Sequence, residues 1–239
     1  MRYAILLPVY NEAPTLERVV RKLSEFEGGD VVVLDDGSTD ATPSILERLK
    51  VTAILRHPEN LGYGQTLMDG FRFAIDQGYE SCVTLDADEQ HEPSFIPRIL
   101  EELGGFDIVS GSRYLNPLLA SDHPPPERLE VNTIITAKLK ELTGYNLTDS
   151  FCGFKGYRVD GLKKLRLNET NYGFPIQLWL QAAKAGLRVI ECAVPLIYKD
   201  HTRNFNNRFA TRDERLQHYL EVMDREAKLL GLPLSRTKT

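Results

Sequence analysis

The chain has 239 residues, 42% hydrophobic and 26% charged, enough to bury the core of one large domain. Its net charge of −5 argues against bulk nucleic-acid binding. Cys82, Cys152 and Cys192 lie far apart, with neither a CxxC pair nor zinc spacing, which points to reduced structural thiols in a cytoplasmic protein.

Residues 3–9 form a continuous apolar run of strand length. The run sits in MRYAILLPVYNE, which lacks the length and cleavage pattern of a signal peptide. The Asn-x-Thr triplets at Asn146 and Asn168 are therefore expected to carry no glycan. Leu16, Val19, Val20, Leu23 and Phe26 recur at helical spacing, with Pro14 near the start and Gly28-Gly29 as the predicted stop. Residues 31–34 read as a buried strand. Ile45, Leu46 and Leu49 mark a helix capped near Asp40, with Pro43 in its first turn. Residues 51–55 are a third strand, 62–77 a helix, and 81–85 a fourth strand. A helix from Phe95 to Leu103 stops at Gly104-Gly105, and residues 107–110 are a fifth strand.

The second half is less regular. SDHPPPERLE, residues 121–130, is a proline-rich loop leading into a helix through Thr143. TDSFCGFKGYR follows at residues 148–158. Residues 171–185 read as a helix and 187–194 as a strand. HTRNFNNRF, residues 201–209, is basic, aromatic and Asn-rich. Residues 211–230 form an amphipathic helix with Leu216, Tyr219, Leu220, Met223, Ala227 and Leu230 on one side. No apolar run approaches the ~18 residues of a membrane span.

Short apolar strands between amphipathic helices predict an α/β fold, a mostly parallel central sheet with helices on both faces. Ligands bind such sheets beyond the carboxyl ends of the strands, where strand order reverses. PVYNE, DDGSTD and DADEQHEP end strands one, two and four, so all three belong on that edge.

The first turn has no G-x-G-x-x-G, so it is not a phosphate cradle. Tyr10 and Glu12 suit a base and ribose; taken alone, PVYNE favours a plain polar strand-to-helix turn. Asp40 reads as a helix cap, but Asp35 and Asp36 precede the turn, where a carboxylate can accept nucleobase N–H groups. Asp86 and Asp88, two apart, point to one side of an extended backbone. Paired carboxylates repel unless a cation or proton lies between them. Hard oxygen ligands suit Mg²⁺ or Mn²⁺, and Gln90 can add an amide oxygen. His91 is either a ligand or a structural hydrogen bonder. Arg113, in SGSRY, suits a bidentate phosphate contact or an ion pair with nearby acids.

These motifs, in this order, resemble the inverting family 2 glycosyltransferases of GT-A fold, over roughly residues 2–200. The likeness is strongest to dolichyl- and polyprenyl-phosphate mannosyltransferases. NLGYG at residues 60–64 and TDSFCGFKGYR are similar to further family segments. The resemblance implies one GT-A domain over 1–239: a donor half (1–115), an acceptor half (116–210) and a C-terminal helix with tail (211–239). It implies that Pro8, Tyr10, Glu12, Leu34, Asp35 and Asp36 hold the donor's base and ribose. Asp86 and Ala87 would line the donor cleft, Asp88 and Gln90 would hold Mg²⁺ or Mn²⁺, and Arg113 would contact phosphate. Asp149 would act as base on a hydroxyl acceptor, or position groups if the acceptor is a lipid phosphate. The implied reaction moves a hexose, with mannose from GDP-mannose preferred, to a lipid phosphate or a saccharide. The implied location is cytoplasmic, peripheral at the inner membrane face. The resemblance breaks after VPLIYKD, where the family's Arg and Gly-x-Ser-Lys segment is missing; Arg203 and Arg208 are the candidate replacements. Two alternatives stand beside this reading. One is a haloacid-dehalogenase-like phosphatase or phosphotransferase, suggested by VVVLDDGST. The other is a non-catalytic nucleotide-sugar-binding protein.

Overall fold

The computed structural model describes residues 2–26, 28–197, 209 and 211–232. The strands are β1 (Tyr3–Val9), β2 (Gly29–Asp35), β3 (Ala53–Arg56), β4 (Ser81–Thr84), β5 (Ile108–Ser112), β6 (Lys155–Arg158) and β7 (Val189–Ala193). The helices are α1 (Leu16–Leu23), α2 (Thr42–Leu46), α3 (Tyr63–Asp76), α4 (Ile96–Glu102), α5 (Pro126–Thr143), α6 (Val159–Leu162), α7 (Phe174–Lys184) and α8 (Arg212–Leu230).

The strands form one sheet in the order β3-β2-β1-β4-β6-β5-β7. All pairings are parallel except those of β6, which runs antiparallel to both β4 and β5. The chain winds outward from β1 through β2 to β3, then returns to place β4 on the other side of β1. That reversal opens the crevice beyond the ends of β1 and β4. β1 shows why helices cover both faces. Tyr3, Ile5, Leu7 and Val9 pack with α1, α2 and α4, whereas Ala4 and Leu6 pack with α3, α5, α6, α7 and α8.

Several elements differ from expectation. Gly28 is a turn residue at φ +82°, while Gly29 opens β2 instead of closing a helix. A Cβ at Gly29 would lie 2.8 Å from the Tyr3 ring, so only glycine fits there. β4 stops at Thr84, which puts Asp86 and Asp88 in a turn and not on extended backbone. Finally, KGYR forms β6. Lys and Gly are weak strand formers, so this strand depends on its two neighbours. A Cβ at Gly156 would meet Ile99 Cγ2 at 2.4 Å, because α4 packs directly on β6.

α8 begins with a reciprocal cap: Thr211 Oγ1 accepts the Glu214 N–H, and Glu214 accepts the Thr211 N–H. Tyr219, Val222, Met223 and Ala227 of its apolar side are buried in the domain. The buried Glu226 accepts side-chain N–H bonds from Gln177 and Gln181 of α7, both at 2.8 Å. All three cysteines are buried and unbridged. No helix among the described residues is long and apolar enough to cross a membrane.

Candidate active site

The first two turns are tied to each other. Asn11 adopts φ +55°, and its Oδ1 accepts the Thr39 N–H at 2.8 Å and the Asp40 N–H at 3.2 Å. Its own N–H donates to Ser38 Oγ. Asp40 also accepts the Thr42 N–H at the start of α2 and the Ala13 N–H, so it serves both turns. PVYNE and DDGSTD are thus one rigid edge.

Asp35 and Asp36 part ways, as neighbours on a strand end must. Asp35 is fully buried, paired with Arg56 Nε at 2.7 Å and accepting the Ser38 N–H. Asp36 turns toward a cavity of about 570 Å³. Its oxygens accept the N–H groups of Leu61 (2.8 Å) and Gly62 (3.0 Å) and face His57 Nδ1 at 2.8 Å. Leu34 lies in the core, where a Cβ on Gly70 of α3 would meet it at 2.5 Å.

The third turn reverses at Glu89, at φ +62°. Arg18 of α1 grips the Glu89 carboxylate with two bonds of 3.0 Å, which helps to hold this disfavoured conformation. Lys22 lies 3.8 Å from Glu92. The reversal points Asp86, Asp88 and Gln90 into the same cavity. His91 lies beneath. Its Nδ1 accepts the Asp86 N–H at 3.0 Å, which leaves the proton on Nε2, 3.8 Å from Cys152 Sγ. Burial lowers its pKa to about 4, so the ring is neutral, and it joins the cavity lining.

Arg113 follows β5, and its guanidinium meets Asp149 in a bidentate pair of 2.6 and 3.0 Å. Burial alone would raise the Asp149 carboxyl. The Arg113 charge and hydrogen bonds, with Lys155 behind them, overturn this and hold it below its usual range. Asp149 also accepts the N–H groups of Phe151 and Cys152 and has no exposed surface. Buried against the guanidinium, it seats Arg113 at the cavity edge.

Of the sequence-derived candidates, Pro8, Tyr10, Glu12, Asp36, Asp86, Ala87, Asp88, Gln90 and Arg113 line the cavity; Leu34, Asp35 and Asp149 do not. Sequence reasoning missed the part of the lining that the helices supply. Arg128 of α5 and Arg215 of α8 stand there with Phe151, Tyr172, Phe209 and Tyr219. Burial pushes the Tyr219 hydroxyl up to about 12, against the charges of Arg215 and Arg128. The signal for Arg215 is its spacing: it lies four residues before Tyr219, on the same helix face. Of the candidate replacements for the missing family segment, Arg203 and Arg208 lie outside the described residues.

Asp88 and Gln90 fit a divalent cation. The described residues hold no cluster of three His, Cys, Asp or Glu that could hold a metal unaided. A two-carboxylate turn suits an ion that completes its shell with substrate phosphates.

Fold and cavity together define a glycosyltransferase of GT-A fold. The sequence model for glycosyl transferase family 2 matches residues 4–166, and the chain belongs to that family. It is 29% identical to an undecaprenyl-phosphate mannosyltransferase of Micrococcus luteus, over 84% of this chain and 85% of that protein. It is 28% identical to a polyprenol monophosphomannose synthase of Mycolicibacterium smegmatis, over 83% of this chain and 78% of that one. It is also 28% identical to a UDP-N-acetylglucosamine–dolichyl-phosphate N-acetylglucosaminyltransferase of Methanococcus voltae, over 83% and 86%. Among solved structures it resembles Mycobacterium tuberculosis glucosyl-3-phosphoglycerate synthase in complex with Mn²⁺, uridine diphosphate and product. There the TM-score is 0.65 at 21% identity, covering 98% of this chain and 81% of that one. Family membership sets aside both the phosphatase and the non-catalytic binder, and Asp35 has no access to a phosphoester.

The site makes a sharp demand on one glycine. A Cβ on Gly153 would lie 2.4 Å from Asp86 Oδ2. Gly153→Ala is expected to cost about 1–3 kcal/mol of stability by overpacking. Displacement of the Asp86 carboxylate should lower turnover ~10²-fold. Melting curves and steady-state rates check both, and unchanged turnover would remove Asp86 from the reaction.

Proposed function

We propose that this enzyme transfers a hexose, mannose from GDP-mannose in the leading case, to polyprenyl phosphate with inversion and with Mg²⁺ or Mn²⁺. The observation that carries the reading is the division of the cavity wall. The strand-end turns supply Glu12, Asp36, Asp86 and Asp88, whereas α5 and α8 supply Arg128 and Arg215 among aromatic rings. The first wall suits the donor and its cation. The second suits an anionic acceptor group carried on an apolar body. The three curated relatives are each named for a polyprenyl, polyprenol or dolichyl phosphate reaction, and two of them for mannose.

In this reading Tyr10 and Glu12 receive the nucleoside. Asp88 and Gln90 would hold the cation, which when bound supplies positive charge against the departing diphosphate. Arg113, locked by Asp149, holds a phosphate without having to reorganise. The acceptor oxygen forms a bond to the anomeric carbon as the bond to the diphosphate oxygen breaks. A phosphate acceptor is already ionised, so the chemistry needs no base, in keeping with the burial of Asp149. The reaction then takes place at the cytoplasmic face of a membrane, with the enzyme bound peripherally.

Saturation at about 100 times Kd stabilises a protein by about 2.7 kcal/mol. For a chain of this size that is a melting shift of roughly 5–10 °C. GDP-mannose is expected to produce such a shift, larger with Mn²⁺ than without, with UDP-glucose and UDP-N-acetylglucosamine as comparison arms. Labelled sugar should then pass to a short polyprenyl phosphate and not to 3-phosphoglycerate. Absence of a shift with every nucleotide sugar would overturn the donor assignment, and label on 3-phosphoglycerate would overturn the acceptor.

A further inference from the structure

His57 lies beside the cavity-lining Asp36, and the reaction described above does not use it. It follows β3, where its N–H is bound to the Asp35 carbonyl at 2.9 Å. Its Nδ1 lies 2.8 Å from Asp36 Oδ1, and its Nε2 lies 3.2 Å from Asp69 Oδ2 on α3. The ring is largely buried, with 13% side-chain exposure. Each contact needs a proton between its two atoms. The doubly protonated ring supplies both; a neutral ring would turn a lone pair toward one carboxylate.

The partner on the cavity side is the carboxylate that closes the loop from residue 57 to 62. Asp36 receives the Leu61 and Gly62 N–H groups, and Asn60 and Gly62 of that loop line the cavity. The loop has little room. A Cβ on Gly37 would lie 2.4 Å from the Glu59 backbone, and one on Gly62 would lie 2.4 Å from the Thr170 carbonyl. Arg56, the neighbour of His57 in the chain, pairs with Asp35 at 2.7 Å. Gln65 of α3 donates to Asp69 at 2.8 Å.

We propose that His57 is a positioning residue for the nucleotide sugar: its imidazolium ties Asp36 to Asp69 and so fixes the loop that walls the donor end. This rests on the cavity taking a nucleoside-diphosphate sugar. The test is calorimetric titration with GDP-mannose and UDP-glucose in the presence of Mn²⁺. His57→Ala is expected to bind about tenfold more weakly than the unaltered protein, the loss of one charged hydrogen bond. Its donor KM should rise about tenfold with kcat within about twofold, the pattern of a lost binding contact.

Asp69→Asn separates this role from a merely structural one. Its amide can donate to a neutral His57 Nε2 while Nδ1 still donates to Asp36, with the Gln65 amide turned to suit. Donor affinity in Asp69→Asn should therefore stay within about twofold of the unaltered protein, with both ties kept. The inference is overturned if His57→Ala binds like the unaltered protein, or if Asp69→Asn loses as much donor affinity as His57→Ala. Failure of the unaltered protein to bind either probe would instead overturn the donor reading, and the role of His57 with it.

Discussion

Replacement of Asp88 by Asn is expected to lower sugar transfer ~10³-fold, in the range for removing a group aimed at transition-state charge, and to erase the part of the donor-induced melting shift that depends on Mn²⁺. The fold should not suffer. Burial, and then the Asp86 charge, push the Asp88 carboxyl above its usual range, so the folded state resists that charge. A neutral Asn relieves the conflict and can keep the acceptor bond to the Gln90 N–H, which Asp88 Oδ1 now holds at 3.0 Å. The melting temperature of Asp88→Asn without metal should therefore equal or exceed that of the unaltered chain. This combination marks a group retained for function against its own stability cost. Metal-independent transfer at an undiminished rate would remove the cation from the proposed reaction.

Much of this site was legible before any coordinates. Apolar runs located β1, β2 and β4, and the rule for parallel sheets put their polar ends on one edge. The pleat could also have separated Asp35 from Asp36, since adjacent residues on a strand face opposite ways. Other features lie beyond pattern. KGYR has too little β preference to announce β6, which exists because β4 and β5 leave a gap for it. An acid in sequence does not show where its oxygens are used. Asp149 spends them on Arg113 and two backbone N–H groups, and Asp36 spends them on a loop. The basic wall is assembled from α5 and α8, 87 residues apart between Arg128 and Arg215, and only tertiary packing unites them.

Asp149→Asn gives the second large effect, and it decides between base and anchor. Removing one partner of a buried ion pair costs about 3–5 kcal/mol, because the other charge stays buried. Arg113 is that charge. Burial works against it, and the Asp149 charge and hydrogen bonds more than restore it. The Asn amide would also point an N–H at a donor, since both carboxylate oxygens now accept from Arg113. A loss of that size lowers the melting temperature by roughly 6–20 °C in a chain of this length. The pH course follows from the sign of the shift. The carboxyl is held below its usual range, so its stabilisation is full above the unfolded pKa and is lost as pH falls through the folded one. The melting gap between the unaltered protein and Asp149→Asn should thus be widest near neutrality and close in acid. Donor affinity should fall along with stability, because Arg113 loses its seat beside the phosphates. A catalytic base would behave otherwise: Asp149→Asn would keep its melting temperature and donor affinity, and would lose only kcat.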